Sequence, residues 1–253
     1  MPRLTRRTAL LGFLLSFLGN GGCAFADSNA LWNIVNGQCV PRQIAQHTAS
    51  PCSAVSLTGG YAVLKDLKGK YQYLLIPTRR VSGIEDPYLE TAAAPNYFAD
   101  AWAERTWLEA QLGRTVPRSD VALAVNSVYG RTQNQLHIHI DCLRPDVAAA
   151  LAAHAGQIGG NWAPLPLPPF KHVYLAEQID SGDLAGINPF TLIAAQRPNQ
   201  KMALETAVIV GARSADGKPG FYLLSSSADL ADHDVGAGEE LQDQSCAIAN
   251  KQL

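Results

Sequence analysis

Gly130-Arg131-Thr132-Gln133-Asn134-Gln135-Leu136-His137-Ile138-His139-Ile140-Asp141-Cys142 is the stretch on which the fold turns. Polar side chains stand at 135, 137, 139 and 141, and aliphatic ones at 136, 138 and 140. Strict alternation is the period of a half-buried strand. A strand projects Gln135, His137, His139 and Asp141 from one face, whereas on a helix residues two apart diverge by roughly 200°. Two imidazoles therefore sit side by side, flanked by an amide and a carboxylate, with an aliphatic face behind them. Imidazole serves as base, acid or nucleophile near neutral pH, so the pattern points to chemistry. The rival readings are a chance polar face and a metal site, since His-x-His on a strand supplies two ligands. Further ligands would have to come from Asp141 and His47, His154, His172 or His233, none at a diagnostic spacing. No metal and no cofactor are expected. Asp141 reads either as a carboxylate supporting the histidines or as a plain strand-end residue.

Working outward, 121–125 forms an apolar strand before the histidine strand at 134–143, and Pro145 opens a helix over 146–154. Strands at 61–66 and 71–76 flank a turn at 67–70. Residues 95–112 read as one long helix, with Phe98, Trp102, Arg105 and Leu108 at helical spacing and Gly113 as the stop. A shorter helix is expected over 31–40. The Gly/Pro-rich stretch 156–170 separates two halves. Beyond it, Asn188-Pro189 caps a helix to 196, strands at 203–212 and 221–225 surround an Asp216-Gly217 turn, and 237–242 ends in a short helix. These elements predict an α+β fold: an antiparallel sheet with helices packed on one side.

The chain has 253 residues, enough for one sizeable domain, and a net charge of −2, which argues against nucleic-acid binding. An anionic ligand must be gripped by local cations. Lys65, Arg79, Arg80, Arg131 and Arg144 are the candidates, with Arg131 favoured because it lies on the turn just before the histidines. Asn126 and Asn134 are neutral candidates for ribose or phosphate contacts. His47, His172 and His233 read as surface residues, and His154 as a favourable helix-end histidine.

Arg3, Arg6 and Arg7 precede an apolar run at 9–19 and an Ala24-Phe25-Ala26 cleavage signal. Residues 1–26 thus read as an export signal or membrane anchor, and 27–253 as the folded domain. Thr5-Arg6-Arg7 also has a twin-arginine look, and Cys23 raises lipidation as a rival fate of the segment. Cleavage after Ala26 leaves Cys39, Cys52, Cys142 and Cys246, an even set suited to disulfides in an exported chain. Three pairings are open. A local Cys39–Cys52 clip, bounded by Pro41 and Pro51, is favoured and leaves Cys142 to meet Cys246.

Gly130-Arg131-Thr132 followed by Gln135, His137 and His139 resembles the active-site strand of the histidine-triad superfamily, with Gln135 in place of the first histidine. On a wider view the chain resembles the CDP-diacylglycerol pyrophosphatase family. The matching blocks are Leu31-Trp32-Asn33-Ile34-Val35, Tyr73-Leu74-Leu75-Ile76-Pro77-Thr78, Asn126-Ser127, the histidine strand, Cys142-Leu143-Arg144-Pro145-Asp146-Val147, Glu239-Glu240-Leu241-Gln242-Asp243 and Cys246-Ala247-Ile248. The resemblance implies a histidine-triad-like fold, with a duplicated half lacking the histidines after about residue 170. It also implies hydrolysis of CDP-diacylglycerol to CMP and phosphatidate at the periplasmic face of the bacterial inner membrane. His137 would be the nucleophile, with His139 beside it. Gln135, Arg131, Asn126, Asn134 and Arg79 would hold substrate, and a membrane surface would be the partner. Two alternatives stay open: an enzyme acting on other nucleoside diphosphate compounds or transferring CMP, and a non-catalytic envelope protein binding lipid or nucleotide.

Overall fold

The alternation at 135–141 does end in a strand, but a shorter one than expected, Ile138–Cys142, with Gln135 and His137 just before it; all four polar residues are buried along with the aliphatic ones between them. The computed structural model describes residues 27–167, 170–213 and 216–250, so the segment 1–26 lies outside the described residues. In chain order the strands are β1 (Ala54–Ser56), β2 (Tyr61–Lys65), β3 (Tyr73–Pro77), β4 (Val121–Val125), β5 (Ile138–Cys142), β6 (Ala163–Pro166), β7 (Val173–Ile179), β8 (Ala207–Arg213) and β9 (Pro219–Ser225). All pair antiparallel in one sheet of order β1-β2-β3-β5-β4-β8-β9-β7-β6. This is the expected antiparallel α+β fold.

The strand order repeats one motif. β2, β3, helices, β4 and β5 stand in space as β2-β3-β5-β4; β6, β7, a helix, β8 and β9 stand as β6-β7-β9-β8. The two halves join through β4 and β8. The break at 156–170 contains β6, a strand the sequence hid behind Pro164 and Pro166. Proline lacks the ladder N–H and is confined to edges, and β6 is the edge strand.

The helices are α1 (Ala30–Ile34), running through a π turn (Val35–Cys39) into α2 (Val40–Gln46); α3 (Tyr97–Glu104); α4 (Thr106–Leu112); α5 (Pro145–His154); α6 (Pro189–Gln196); and α7 (Ala247–Asn250). The single helix expected over 95–112 breaks at Arg105, whose guanidinium donates to the Trp102 carbonyl at 2.5 Å. Asn96 and Asn188 cap α3 and α6 by accepting from Ala99 N–H and Phe190 N–H, both at 3.1 Å.

Helices cover both faces of the sheet rather than one. Phe98, Trp102, Leu108 and Phe190 pack on Leu75, Leu123, Ile140 and Leu223 of the first face. On the second face, Val147 and Leu151 of α5 cover Ala122, Val208 and Leu224, while Val35 and Cys39 cover Ala62, Leu74 and Ile76. The physical reason is that β4 and β8 are continuous apolar runs, and such strands need cover on both sides. The disulfides Cys39–Cys52 and Cys142–Cys246 are both present, tying the π turn to the segment before β1 and the end of β5 to the start of α7. Among the described residues no helix is long and apolar enough to cross a membrane.

Candidate active site

One cross-strand row on the second face runs Leu74, His139, Ala124, Val208, Leu224, Ala176. Its single ionisable member, His139, falls between the two apolar clusters of that face, and Ala122 and Ala124 beside Asp141 and His139 are small enough to leave room. The His137 and His139 rings meet edge-on, centroids 4.9 Å apart and planes at 64°.

Hydrogen bonds distinguish the two imidazoles. His137 Nδ1 lies 2.8 Å from the Gln135 carbonyl, which only accepts, so Nδ1 carries the proton and Nε2 holds a free lone pair. His139 Nδ1 lies 2.7 Å from Gln72 Nε2. Gln72 is oriented by Gln244, whose amide donates to Gln72 Oε1 at 3.3 Å. Gln72 Nε2 is therefore the donor, His139 Nδ1 accepts, and the His139 proton sits on Nε2, a buried atom with no partner. Glu239 Oε2 stands 3.3 Å from the same Nδ1 and forms an ion pair only with a protonated ring. Burial pushes His137 below the usual histidine range, offset only in part by the Gln135 carbonyl and Glu239. Burial depresses His139 as well, and His137 beside it adds to the effect. Both rings are uncharged at neutral pH. One thus offers a nucleophilic nitrogen and the other an N–H donor.

The pair lies in a cavity of about 380 Å³. Its walls include Leu31 and Ile34 of α1, Leu64, Leu74, Asn126, Gly130, Thr132 and Gln133, and its charged residues are Lys65, Lys68, Asp66 and Glu239. Asn126 is the expected site residue that lines it, but its amide also braces Glu239: Nδ2 donates to Glu239 Oε1 at 3.2 Å, and Oδ1 accepts from Glu239 N–H at 3.1 Å. Gly130 lets the turn pack against the segment at Gly236 and Ala237, because a Cβ there would stand 2.6 Å from the Gly236 carbonyl oxygen.

The structure places the other expected substrate contacts outside the cavity lining. Arg131 forms a fork on Glu85, at 2.6 and 2.7 Å, and is nearly buried there. Arg79 stacks on Tyr88, 4.0 Å from the ring centroid. Asn134 anchors the start of the domain, its N–H donating to the Ser28 carbonyl at 2.7 Å. Gln135 turns away from the histidines: its Nε2 donates to the Pro77 and Arg79 carbonyls at 3.0 and 2.8 Å, and its Oε1 accepts from Val81 N–H at 3.4 Å. The amides of Gly130 and Arg131 bond Ser127 Oγ and O, both at 3.2 Å, and so are not free for a phosphate. Asp141 is fully buried; its Oδ1 accepts from Cys142 N–H at 2.8 Å, and burial raises its carboxyl to about 7. His172 is not a bare surface residue, for it stands between Glu240 at 2.7 Å and Asp234 at 3.3 Å.

Sequence reasoning missed Gln72, Glu239 and Lys68. Gln72 is one polar residue at the start of a strand and carries no pattern of its own. Glu239 belongs to a block that resembles the family, but its link to His139 spans 100 positions of chain. Lys68 lies in the expected turn at 67–70, a setting where lysine is ordinary.

Two uncharged imidazoles in a cavity that also carries lysines suit one class of protein, an enzyme acting on an anionic substrate. Comparison with known proteins narrows that class. The family model described as CDP-diacylglycerol pyrophosphatase matches residues 26–250. A curated CDP-diacylglycerol pyrophosphatase of Yersinia pestis is 43% identical over 226 residues, which covers 88% of this chain and 86% of that relative. The chain belongs to the CDP-diacylglycerol pyrophosphatase family.

Proposed function

We propose that this protein hydrolyses the pyrophosphate bond of CDP-diacylglycerol, giving CMP and phosphatidate, through a covalent intermediate on His137. Family membership supports the substrate and the reaction type. The observation that carries the mechanism is the Gln135 carbonyl at 2.8 Å from His137 Nδ1, which leaves Nε2 unprotonated.

Nε2 attacks one phosphorus of the pyrophosphate. A nitrogen–phosphorus bond forms as the bond from that phosphorus to the bridging oxygen breaks, and the bridging oxygen leaves with the other phosphate. Water then cleaves the nitrogen–phosphorus bond and restores the imidazole. The His139 Nε2–H donates to a phosphate oxygen as charge develops there, and Lys65 and Lys68 balance the anion. Gln135 and Arg131 act at one remove. Gln135 presents the carbonyl that sets the His137 tautomer, and Arg131 fixes the turn before it through Glu85. No step of this scheme calls on a metal or cofactor. The two disulfides support an exported chain working in an oxidising compartment, at the periplasmic face of the membrane that holds its substrate.

The test is CMP release by the purified protein from CDP-diacylglycerol in detergent, with rapid alkaline quench to trap label on His137 through a bond that survives alkali and is lost in acid. Because burial keeps His137 unprotonated below the usual histidine pKa of about 6.5, kcat/KM should stay level from pH 8 to below that value and fall only in stronger acid. An acid limb centred at or above 6.5, or label on His139 instead, would overturn the assignment.

A further inference from the structure

We propose that loop 66–70, between β2 and β3, is a bilayer-docking element: Leu67 enters the acyl region of an anionic lipid surface while Lys70 meets its phosphates, so that the cavity opens onto the membrane. The inference deepens the proposed function and rests on its lipid substrate.

Leu67 is the most exposed large apolar side chain among the described residues, as open as in an extended peptide. A single exposed leucine means little by itself. This one is displayed by a braced turn. Lys65 Nζ donates to the Asp66 and Gly69 carbonyls at 2.9 and 3.1 Å, and Lys68 N–H donates to Asp66 Oδ1 at 3.1 Å. Gly69 sits at φ +70, in the left-handed region glycine favours, and Lys70 N–H reaches the Gln244 carbonyl at 3.4 Å. The backbone is thus tied inward at four points while Leu67 faces solvent.

Three further observations point to lipid as the occupant. Lys68 and Lys70 follow Leu67 and are exposed, Lys70 lies over the half-buried Tyr71 ring at 4.9 Å, and the preceding Asp66 carboxylate is turned onto the Lys68 amide, so the apolar tip has cations and an aromatic on its C-terminal side. Basic side chains near an anionic leaflet strengthen attachment roughly fivefold each, and tyrosine suits the interface. Leu67 is also continuous with the apolar wall of the cavity, formed by Leu64, Leu74, Leu31 and Ile34. A cavity of about 380 Å³ has the size of a small-ligand pocket and leaves two fatty chains outside, where a bilayer would keep them solvated. Finally, α1 begins at Ala30 on that same wall, eleven residues after the apolar run ending at Gly19. A linker of that length reaches at most ~40 Å, so a retained anchor would hold this rim near the bilayer.

The experiment uses the full chain, with Cys23→Ser and His137→Ala so that neither a spare thiol nor turnover intervenes. An environment-sensitive fluorophore is attached at Leu67→Cys. For control it is attached instead at Gln111→Cys, an exposed position of α4 on the opposite face of the sheet. Each protein is reconstituted in vesicles of phosphatidylcholine and phosphatidylglycerol carrying lipid-borne quenchers. Quenching at 67 but not at 111, reduced by Lys70→Glu and in vesicles of phosphatidylcholine alone, is the expected result. Equal signals at the two positions, or a water-like probe at 67, overturn the proposal and leave the loop for a protein partner. CMP release is scored separately on the protein with His137 intact. Docking without hydrolysis would sink the proposed function alone, and hydrolysis without docking would sink this inference alone.

Discussion

β5 and β9 are counterparts in the two halves of the sheet: each closes its half, and each lies between the two strands that precede it in that half. On the shared second face β5 presents His139 and Asp141, where β9 presents Tyr222 and Leu224. The difference follows the cover. α5 succeeds β5 in the chain but packs over β4, β8 and β9, burying Leu224 under Val147 and Leu151. The π turn of the N-terminal helices covers β2 and β3 instead. β5 is left between the two clusters, and there a polar row survives because Gln72, Gln242 and Glu239 reach its imidazole and backbone. One topology thus yields an apolar packing strand under α5 and, between the two clusters, a strand that buries polar side chains.

The sharpest way to break this comparison is to exchange the roles of the two strands. His137→Ala should lower kcat at least ~10³-fold, as loss of a covalent nucleophile does, with thermal stability nearly unchanged. Leu224→Ala should do the reverse, costing about 2–5 kcal/mol of stability through its cavity while activity per folded molecule holds. Paired kinetics and denaturant titrations check both, and activity in His137→Ala near that of the parent would show that His137 is not the nucleophile.

Asp141 sharpens the comparison through pH. Its carboxyl is raised by burial to about 7 in the folded state, so the folded chain holds a proton that the unfolded chain releases near pH 3.9. The folded state therefore loses stability as pH climbs through that window, and the loss is complete once pH passes the folded value. Asp141→Asn, which keeps an acceptor for Cys142 N–H, should remove that loss and stabilise the protein by up to roughly 4 kcal/mol above pH 7, with no gain at pH 4. Urea unfolding at the two pH values measures it; a gain independent of pH would mean Asp141 is not the titrating group.

Gln72 comes next in size. Gln72→Leu removes the donor that holds the His139 proton on Nε2. The expected cost is about 10–100-fold in kcat, with KM changed less and Gln72→Asn recovering part of the rate. Equal rates in the parent and Gln72→Leu would mean that the His139 tautomer has no bearing on turnover.

Gln135 gives the smallest effect and the clearest revision. Its amide serves the Pro77, Arg79 and Val81 backbone. Gln135→Leu should cost about 1–3 kcal/mol of stability by leaving buried backbone groups unpaired, while kcat/KM falls only as far as the His137 carbonyl contact shifts. A large kinetic loss with full stability would return Gln135 to the substrate.

The legible part of this molecule was local. Period-two alternation announced β5, proline and asparagine marked the starts of α5 and α6, and four cysteines in an exported-looking chain were enough to expect two bonds. The illegible part was the second face. Nothing in 134–143 says whether the polar side of the strand meets water or a cavity, so the burial of all four polar residues came only with the sheet. β6 was hidden because its prolines read as a break, and they are tolerated only because β6 is an edge.

The same division runs through the site. Sequence alone determined that His139 and Asp141 share a strand face, with His137 one step before the strand, since side-chain direction along a strand is fixed by its period. Which nitrogen of His139 carries the proton was a matter for tertiary structure, because Gln72 and Glu239 arrive from 67 and 100 positions away in the chain. So were the cations: Arg131, close to the histidines in sequence, turned to Glu85, and Lys65 and Lys68 of a distant hairpin line the cavity instead. Proximity in sequence fixes direction over a few residues, whereas a charge finds its partner across whatever elements the packed sheet brings together.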